Sequence, residues 1–461
     1  AVVSKDGEKL FYCSRFEKGF DLWSLSLRKK ETKRIKKLNG YAWGMQFDKD
    51  SSNIFFVSGG KFKKYDIKKE KIENITYKAE FNLKYTKEKD YLFNHAWKQV
   101  KEKFYVKDLH GCDWNYYKEN YSRFLPHINN NYDFTEMLSE MLGELNASHT
   151  GSGYRVHSKN GDATAKLGAF FASNYHGNGL KIIEVLDKSP LYKAGIKAGT
   201  IIEKIDGVEI TPNMDYFPLL NHKAGKRVLL TLKEANKKEE KELIIKAISN
   251  SSQNKLLYNR WVEKCRVEVT KLSDGKLGYV HIKGMSDPSF RTIYSDLFGK
   301  HNNAEGIIID TRFNGGGHMH EDIEVLFSGE KYLTQYNRGK KIGEQPRKRW
   351  KKPSIMLVGQ SNYSNAHGTP WVYKTMGLGE LVGMPIPGTM TSVWWETQID
   401  KSIYFGLPQI GYKDTNGNYL ENQQLEPDYK IAVDPEKITN GKDIQLEKAV
   451  NVLLNKINST K

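Results

Sequence analysis

Ile307-Ile308-Ile309-Asp310-Thr311-Arg312-Phe313-Asn314-Gly315-Gly316-Gly317 is the stretch on which the architecture turns. Three β-branched residues in an unbroken run have no polar face. This is the pattern of a strand covered on both sides, as in a parallel sheet between helices. The run stops at an aspartate and passes into Asn-Gly-Gly-Gly, a turn whose backbone can be approached closely. Outward from it, Leu277 to Ile282 and Ile355-Met356-Leu357-Val358 read as further strands. Helical spacing falls between them around 288–299, and a last strand follows the stretch Leu378 to Gly383. Alternating strands and helices over residues 251–461 predict an α/β core.

Toward the N-terminus the periodicities change. Phe93, Trp97, Val100 and Phe104 fall at steps of three and four, and a second helical run covers Phe134 to Leu142. Residues 86–157 therefore read as mainly helical. In front, Val3-Ser4-Lys5-Asp6 with Leu10-Phe11-Tyr12 recurs as Phe47-Asp48-Lys49-Asp50 with Ile54-Phe55-Phe56. Each unit continues into another strand. Short strands repeating every ~40–50 residues are the mark of propeller blades, so residues 1–85 read as a β-propeller-like remnant. Two units cannot close a ring.

The bulk numbers bound the function. With 461 residues, 38% hydrophobic, the chain has material for several cores. No apolar run reaches the ~18 residues of a membrane span. The opening AVVSKDGEKLFY lacks the form of a secretory leader and starts without Met, the reading being of a processed or truncated chain. The net charge of +17 is spread along the chain among acids, with no basic run interleaved with stacking aromatics. No nucleic-acid partner is expected. Cys13, Cys112 and Cys265 have neither disulfide nor zinc spacing, and His318 and His320 beside Glu321 and Asp322 lack further ligands. No metal and no cofactor are expected.

Four separated segments carry polar groups suited to acyl transfer: Ser148-His149, the Asp310 to Gly317 stretch, Asn362 to His367, and Glu421-Asn422. A serine hydroxyl needs a base within reach, and a histidine supplies one near neutral pH. The imidazole needs an acceptor on its other nitrogen, and the intermediate needs N–H donors at its oxyanion. From the residues alone His149, His318 and His367 are all open as the base. Trp394-Trp395-Glu396 is equally open as a pocket lining or a packed pair.

SPLYKAGIKAGTIIEKIDGVEI (189–210) resembles a PDZ domain of the bacterial protease kind, placing one over 158–250. Its groove would take an extended peptide as an added strand. ELNASHTG (144–151), IIIDTRFNGGG (307–317), NYSNAHG (362–368), GLGELVGMPIPGT (377–389) and LENQQLEPD (420–428) follow the order of the tricorn-type serine proteases, a branch of the tail-specific (C-terminal processing) peptidases. The resemblance covers residue 90 to the end and implies a crotonase-like core. It implies a Ser-His-Ser-Glu tetrad: Ser364 as nucleophile, His149 as base, and Ser148 bridging His149 to Glu421. Asn365 and Gly316 would give the oxyanion amides. The family more often has Asp where Asn365 stands. Leu333 to Arg338 offers no acid where tricorn carries one for basic side chains, so that preference does not transfer.

The expected protein is a multidomain α+β, ATP-independent serine peptidase, since no Walker-type motif occurs. Its partner would be peptide or unfolded polypeptide, and the resemblance implies a homo-oligomer. The compartment stays between periplasm and cytoplasm, the periplasm preferred. The competing expectation is a catalytically inactive peptide- or small-ligand-binding protein on the same scaffold.

Overall fold

The computed structural model describes every residue except 17–18, 39, 81, 157, 159, 235–238 and 461. The sequence-drawn boundary at 157 thus falls on a residue outside the described ones. Two compact units are present, Ala1–Lys84 and Tyr85–Lys461.

The first unit holds two four-stranded antiparallel meanders. One runs through Val2–Val3, Lys9–Ser14, Phe20–Ser26 and Glu31–Leu38; the other through Ala42–Phe47, Asn53–Ser58, Lys61–Asp66 and Lys71–Asn74. Alternation buries Phe11 and Leu22 from one sheet with Ile54, Phe56 and Tyr65 from the other in a shared core. Both sheets are open.

The second unit opens with helices Tyr85–Lys103, Trp114–Ser122 and Asn131–Gly143. Asp113 and Asn130 cap two of them by accepting main-chain N–H groups. Trp97 and Trp114 each donate the indole N–H to the other's carbonyl, at 2.8 and 3.0 Å. Phe93, Val100, Phe134, Leu138 and Leu142 bury against Phe405 and Leu407 of the strand Ile403–Gly411. That strand is the middle of a three-stranded antiparallel sheet, with Thr391–Thr397 on one side and Gly151–Tyr154 on the other. The sheet places the end of the helical region beside Thr391.

Strands Ala169–Phe171, Leu180–Val185, Ile201–Ile205, Arg227–Lys233 and Glu240–Lys246 form one sheet in that order, with a short helix at Pro190–Lys193. Gly195, Gly199 and Gly207 of the PDZ-like signature all have positive φ, as turns that leave a helix or reverse a strand require.

The helix Asn250–Leu272 leads into a five-stranded parallel sheet: Leu277–His281, Gly306–Asp310, Ser354–Val358, Glu380–Gly383 and Tyr429–Lys430. Every residue of Gly306–Asp310 is buried. Ile307 and Ile309 face a core beneath the helices His320–Ser328 and Asn365–Thr375. Ile308 faces the opposite core, built with Val269 of the long helix and Leu453 of the helix Ile444–Thr460. This two-sided cover explains the unbroken isoleucine run. The fold is mixed α/β.

Candidate active site

Strand Gly306–Asp310 ends in a buried ion pair. Asp310, fully buried, accepts from the guanidinium of Arg312 at 2.7 to 3.1 Å and from Tyr279 Oη at 2.8 Å. Burial works to raise the Asp310 pKa, but Arg312 outweighs it and holds the carboxyl below its ordinary value. Arg312 also reaches Asp443 and Gln445. The turn after the strand is thereby fixed to the C-terminal helix region.

Within that turn Asn314 Nδ2 donates to Ile282 O at 2.9 Å, and Asn314 Oδ1 accepts from the Gly316 N–H at 2.9 Å. Gly316, expected from the sequence to give an oxyanion donor, therefore has its N–H engaged. The N–H groups of Gly315, Gly317 and Asn365 make no hydrogen bond among the described residues. Gly316 has a clear steric role. At φ +99°, a Cβ there would lie 2.6 Å from Ser364 Cβ, 2.7 Å from Tyr363 O and 3.1 Å from Ser364 Oγ.

Ser364 stands half-buried between strand Ser354–Val358 and helix Asn365–Thr375, at φ 58° and ψ −128°. A non-glycine residue there is strained by about 1–3 kcal/mol. The surrounding bonds hold it: Ser364 N–H donates to Thr389 Oγ1 at 3.0 Å, Tyr363 N–H to Asn314 O at 3.1 Å, and Asn362 Nδ2 to Thr311 Oγ1 at 2.9 Å. Asn365 uses its side chain on Met319 N–H (2.9 Å) and His320 Nδ1 (2.7 Å), leaving its own N–H at the helix start.

His149 is buried and also left-handed, at φ 63°. Its N–H donates to Tyr363 Oη at 2.6 Å, and its ring lies 4.8 Å from the Tyr363 ring centroid. Its carbonyl approaches Gly406 so closely that a Cβ there would sit 2.1 Å from the oxygen. Nδ1 lies 2.8 Å from Ser148 Oγ and 3.0 Å from Thr391 Oγ1. Ser148 Oγ donates to Glu421 Oε2 at 3.0 Å, while Ser148 N–H donates to Glu421 Oε1. Burial pushes the His149 imidazole down to about 4, so it is neutral at pH 7. Burial also raises the Glu421 carboxyl, against the lowering effect of the Ser148 donors.

The expected Glu421, Ser148 and His149 thus lie in one hydrogen-bonded chain. Ser364 is next to Tyr363, which touches His149, but among the described residues no hydrogen bond joins Ser364 Oγ to His149. The other histidines are elsewhere. His367 is buried, accepts from Thr389 N–H at 3.3 Å, and is pushed down to about 4 by burial. His320 is committed to Asn365. Among the described residues no cluster of three or more His, Cys, Asp or Glu could hold a metal ion. Glu344 lies on the hairpin strand Lys340–Gln345, ringed by Lys341, Arg349 and Lys351. Trp394 and Trp395 are 59% and 48% exposed, on opposite faces of their strand, so they are not a packed pair. Thr389 and Thr391, which touch the Ser364 main chain and the His149 ring, were missed from the sequence. Their only signal was a Thr-x-Thr alternation next to Pro387-Gly388.

Residues 276–431 match Peptidase family S41, residues 85–143 the Tricorn protease C1 domain, and residues 181–250 the Tricorn protease PDZ domain. Relatives include a tricorn-like protease C-terminal subunit of Sulfurisphaera tokodaii, 27% identical over 79% of this chain and 43% of the relative. A tricorn protease homolog of Saccharolobus solfataricus is 25% identical over 79% of this chain and 35% of its own length. The tricorn protease of Thermoplasma acidophilum is 24% identical over 79% and 35%. The chain spans less than half the length of these relatives. The tricorn protease crystal structure shares the fold, with a TM-score of 0.81 at 20% identity, over 95% of this chain and 43% of the other. The matched family and these relatives are peptidases. Residues 276–431 thus resemble peptidase family S41, and the chain as a whole shares its fold with part of the tricorn protease.

Proposed function

We propose that this chain carries the catalytic part of an ATP-independent serine peptidase that cleaves peptides or unfolded polypeptide through an acyl-enzyme. The observation that carries the reading is the chain Glu421–Ser148–His149, in which a 3.0 Å bond joins Glu421 to Ser148, 273 positions away, and a 2.8 Å contact joins Ser148 to the neighbouring His149. Such a chain leaves the imidazole oriented, with Nε2 as the base. Ser364 is the nucleophile. Its Oγ attacks the substrate carbonyl carbon as Nε2 takes its proton, and the carbonyl oxygen becomes the oxyanion. Collapse breaks the C–N bond, and the amine leaves with the proton from Nε2. Water then attacks the ester, gives its proton to Nε2, and Ser364 Oγ recovers it.

The oxyanion donors in this reading are the Asn365 N–H and a glycine amide of the 315–317 turn. Gly316 serves there by exchanging Asn314 Oδ1 for the oxyanion. The contact between Ser364 and His149 tightens when substrate is bound, as catalytic hydrogen bonds commonly do.

The domain reading is a propeller-like remnant at 1–85, helical core at 86–157, PDZ at 158–250, and crotonase-like peptidase core at 251–461. Two open meanders support the first. The PDZ part takes an extended peptide as an added strand, and the chain assembles as a homo-oligomer. The missing Ser364–His149 hydrogen bond favours a second reading, an inactive peptide- or small-ligand-binding protein. Intact-mass measurement after fluorophosphonate treatment separates the two. The peptidase gives one adduct on Ser364, absent in Ser364→Ala and in denatured protein. No adduct on the native chain, or one that survives Ser364→Ala, overturns the nucleophile.

A further inference from the structure

Residues 389 to 391 are buried and lie against Ser364, His149 and Ser148. Thr389 Oγ1 accepts the Ser364 N–H at 3.0 Å, and Thr389 N–H donates to His367 Nδ1 at 3.3 Å. The Met390 thioether fits against Gly368, where a Cβ would be 2.6 Å from its methyl carbon. Thr391 Oγ1 lies 3.0 Å from His149 Nδ1 and 3.2 Å from Ser148 Oγ. One extended segment therefore holds the main chain of the nucleophile and the ring of the base.

The hydrogen count at Nδ1 assigns Thr391 its role. Ser148 spends its proton on Glu421, so its oxygen is an acceptor only. When the imidazole takes the Ser364 proton, it carries N–H on both nitrogens and Nδ1 must donate. Two oxygens then surround that N–H. The Thr391 hydroxyl can accept from Nδ1 while turning its own proton to Ser148 Oγ, so no group is left unpaired. The bond gains strength as charge forms on the ring, which makes it worth more in the transition state than in the resting enzyme.

We propose that Thr391 is a positioning residue of the reaction: its hydroxyl is the second acceptor for the Nδ1–H of protonated His149, and through Thr389 the same segment registers the base against Ser364. The proposal rests on the serine peptidase reading. Neither threonine needs to contact substrate.

The test uses the full chain with Thr391→Val and Thr391→Ser. Readouts are turnover of fluorescein-labelled casein, the pH dependence of fluorophosphonate labelling at Ser364, and the NMR signal of the His149 Nδ1 proton. Thr391→Val is expected to lower kcat about tenfold with KM changed less than about twofold. The acid limb of its labelling profile shifts to lower pH, because the protonated ring has lost an acceptor. Its Nδ1 proton exchanges faster with solvent, and thermal stability is close to wild type. Thr391→Ser restores rate, pH profile and proton.

Wild-type kcat and pH profile in Thr391→Val overturn the proposal. So do equal losses in Val and Ser variants accompanied by an early melt, the signature of a packing role. The NMR readout does not depend on turnover: an Nδ1 proton equally protected in wild type and Thr391→Val also overturns it. If wild type shows no adduct or one insensitive to Ser364→Ala, the peptidase reading itself falls. A labelled wild type with an unaffected Thr391→Val removes the Thr391 assignment alone.

Discussion

Replacing Gly316 with alanine puts a methyl carbon 2.6 Å from Ser364 Cβ and 2.7 Å from Tyr363 O. Ordinary contacts between such atoms lie at about 3.5–4.0 Å, so something must retreat by about 1 Å. The neighbour is backbone on one side and the first carbon of a short side chain on the other, and neither swings away cheaply. The residue also sits at φ +99°, where an L side chain costs about 1–2 kcal/mol. Adding an overpacking cost of about 1–3 kcal/mol gives an expected loss of about 2–5 kcal/mol in urea unfolding. A nucleophile misplaced by about 1 Å forfeits about a hundredfold in rate, which fluorophosphonate labelling of Ser364 reads without knowledge of the natural substrate. Gly315→Ala is the control. Gly315 is exposed, outside the positive-φ region, with nothing within 4 Å of its added Cβ, so it is expected to label and unfold like wild type. If Gly316→Ala labels Ser364 at the wild-type rate, the glycine turn is not packed against the nucleophile and the site is wrongly assembled.

In the proposed mechanism His149→Ala removes the base and is expected to cut casein turnover by about 10²–10⁴-fold. Glu421→Gln, acting only through Ser148, should cost about tenfold, and equal or reversed effects would refute the relay. Arg312→Met leaves the Asp310 charge buried without its partner. About 3–5 kcal/mol of stability should be lost, with no loss refuting the assignment of this pair as a lock on the turn. His149 and His367 are each pushed from 6.5 to about 4 by burial. Their folded pKa values lie below the unfolded ones, so the unfolded chain binds more protons in that window. Their contribution is fully present above pH 6.5 and is lost as pH falls toward 4, at about 1.4 kcal/mol per pH unit for each. Urea unfolding of His149→Gln between pH 7 and 5 should show a shallower loss than wild type, and identical slopes would refute it.

How much of this was legible before the structure follows from the range of each interaction. Ile307 to Ile309 announce a strand covered on both faces because burial is written directly into side-chain type. Gly195, Gly199 and Gly207 mark their turns because positive φ selects glycine locally. The parts of the site arrive in the expected order, but the order came from likeness to a family. Residue spacing alone left three histidines open as the base. Geometry separates them: His149 joins the Ser148–Glu421 chain, His367 accepts from Thr389 N–H, and His318 is exposed with its ring against His320. Thr391 was invisible because its partners are 242 and 243 positions away. They meet only through the pairing of Gly151–Tyr154 and Thr391–Thr397 with the central strand Ile403–Gly411. The engaged Gly316 N–H was legible in principle. An asparagine two residues before it, in an Asn-Gly turn, is the signature of a side chain bonding to the main chain two positions on.

Strain and clearance explain why these segments stay together. Phe313, Ser364 and His149 are all non-glycine residues at φ near +60°, each costing about 1–3 kcal/mol. Tyr363 ties the three together. Its N–H holds Asn314, next to Phe313; its carbonyl accepts from Ala366 N–H; its hydroxyl holds the His149 N–H. No one of these bonds is worth the strain it restrains, since a neutral hydrogen bond contributes about 0.5–1.5 kcal/mol net. The arrangement persists because the bonds act on a backbone that is already wedged. Gly316 admits Ser364 on one side, and Gly406 admits the His149 carbonyl on the other. Tyr363→Phe therefore isolates the polar tie from the wedge. It keeps the ring against His149, removes one bond, and should slow Ser364 labelling while leaving most of the stability. A Tyr363→Phe variant that unfolds as readily as Gly316→Ala would mean that the hydroxyl, and not the glycine clearance, holds the two halves in place.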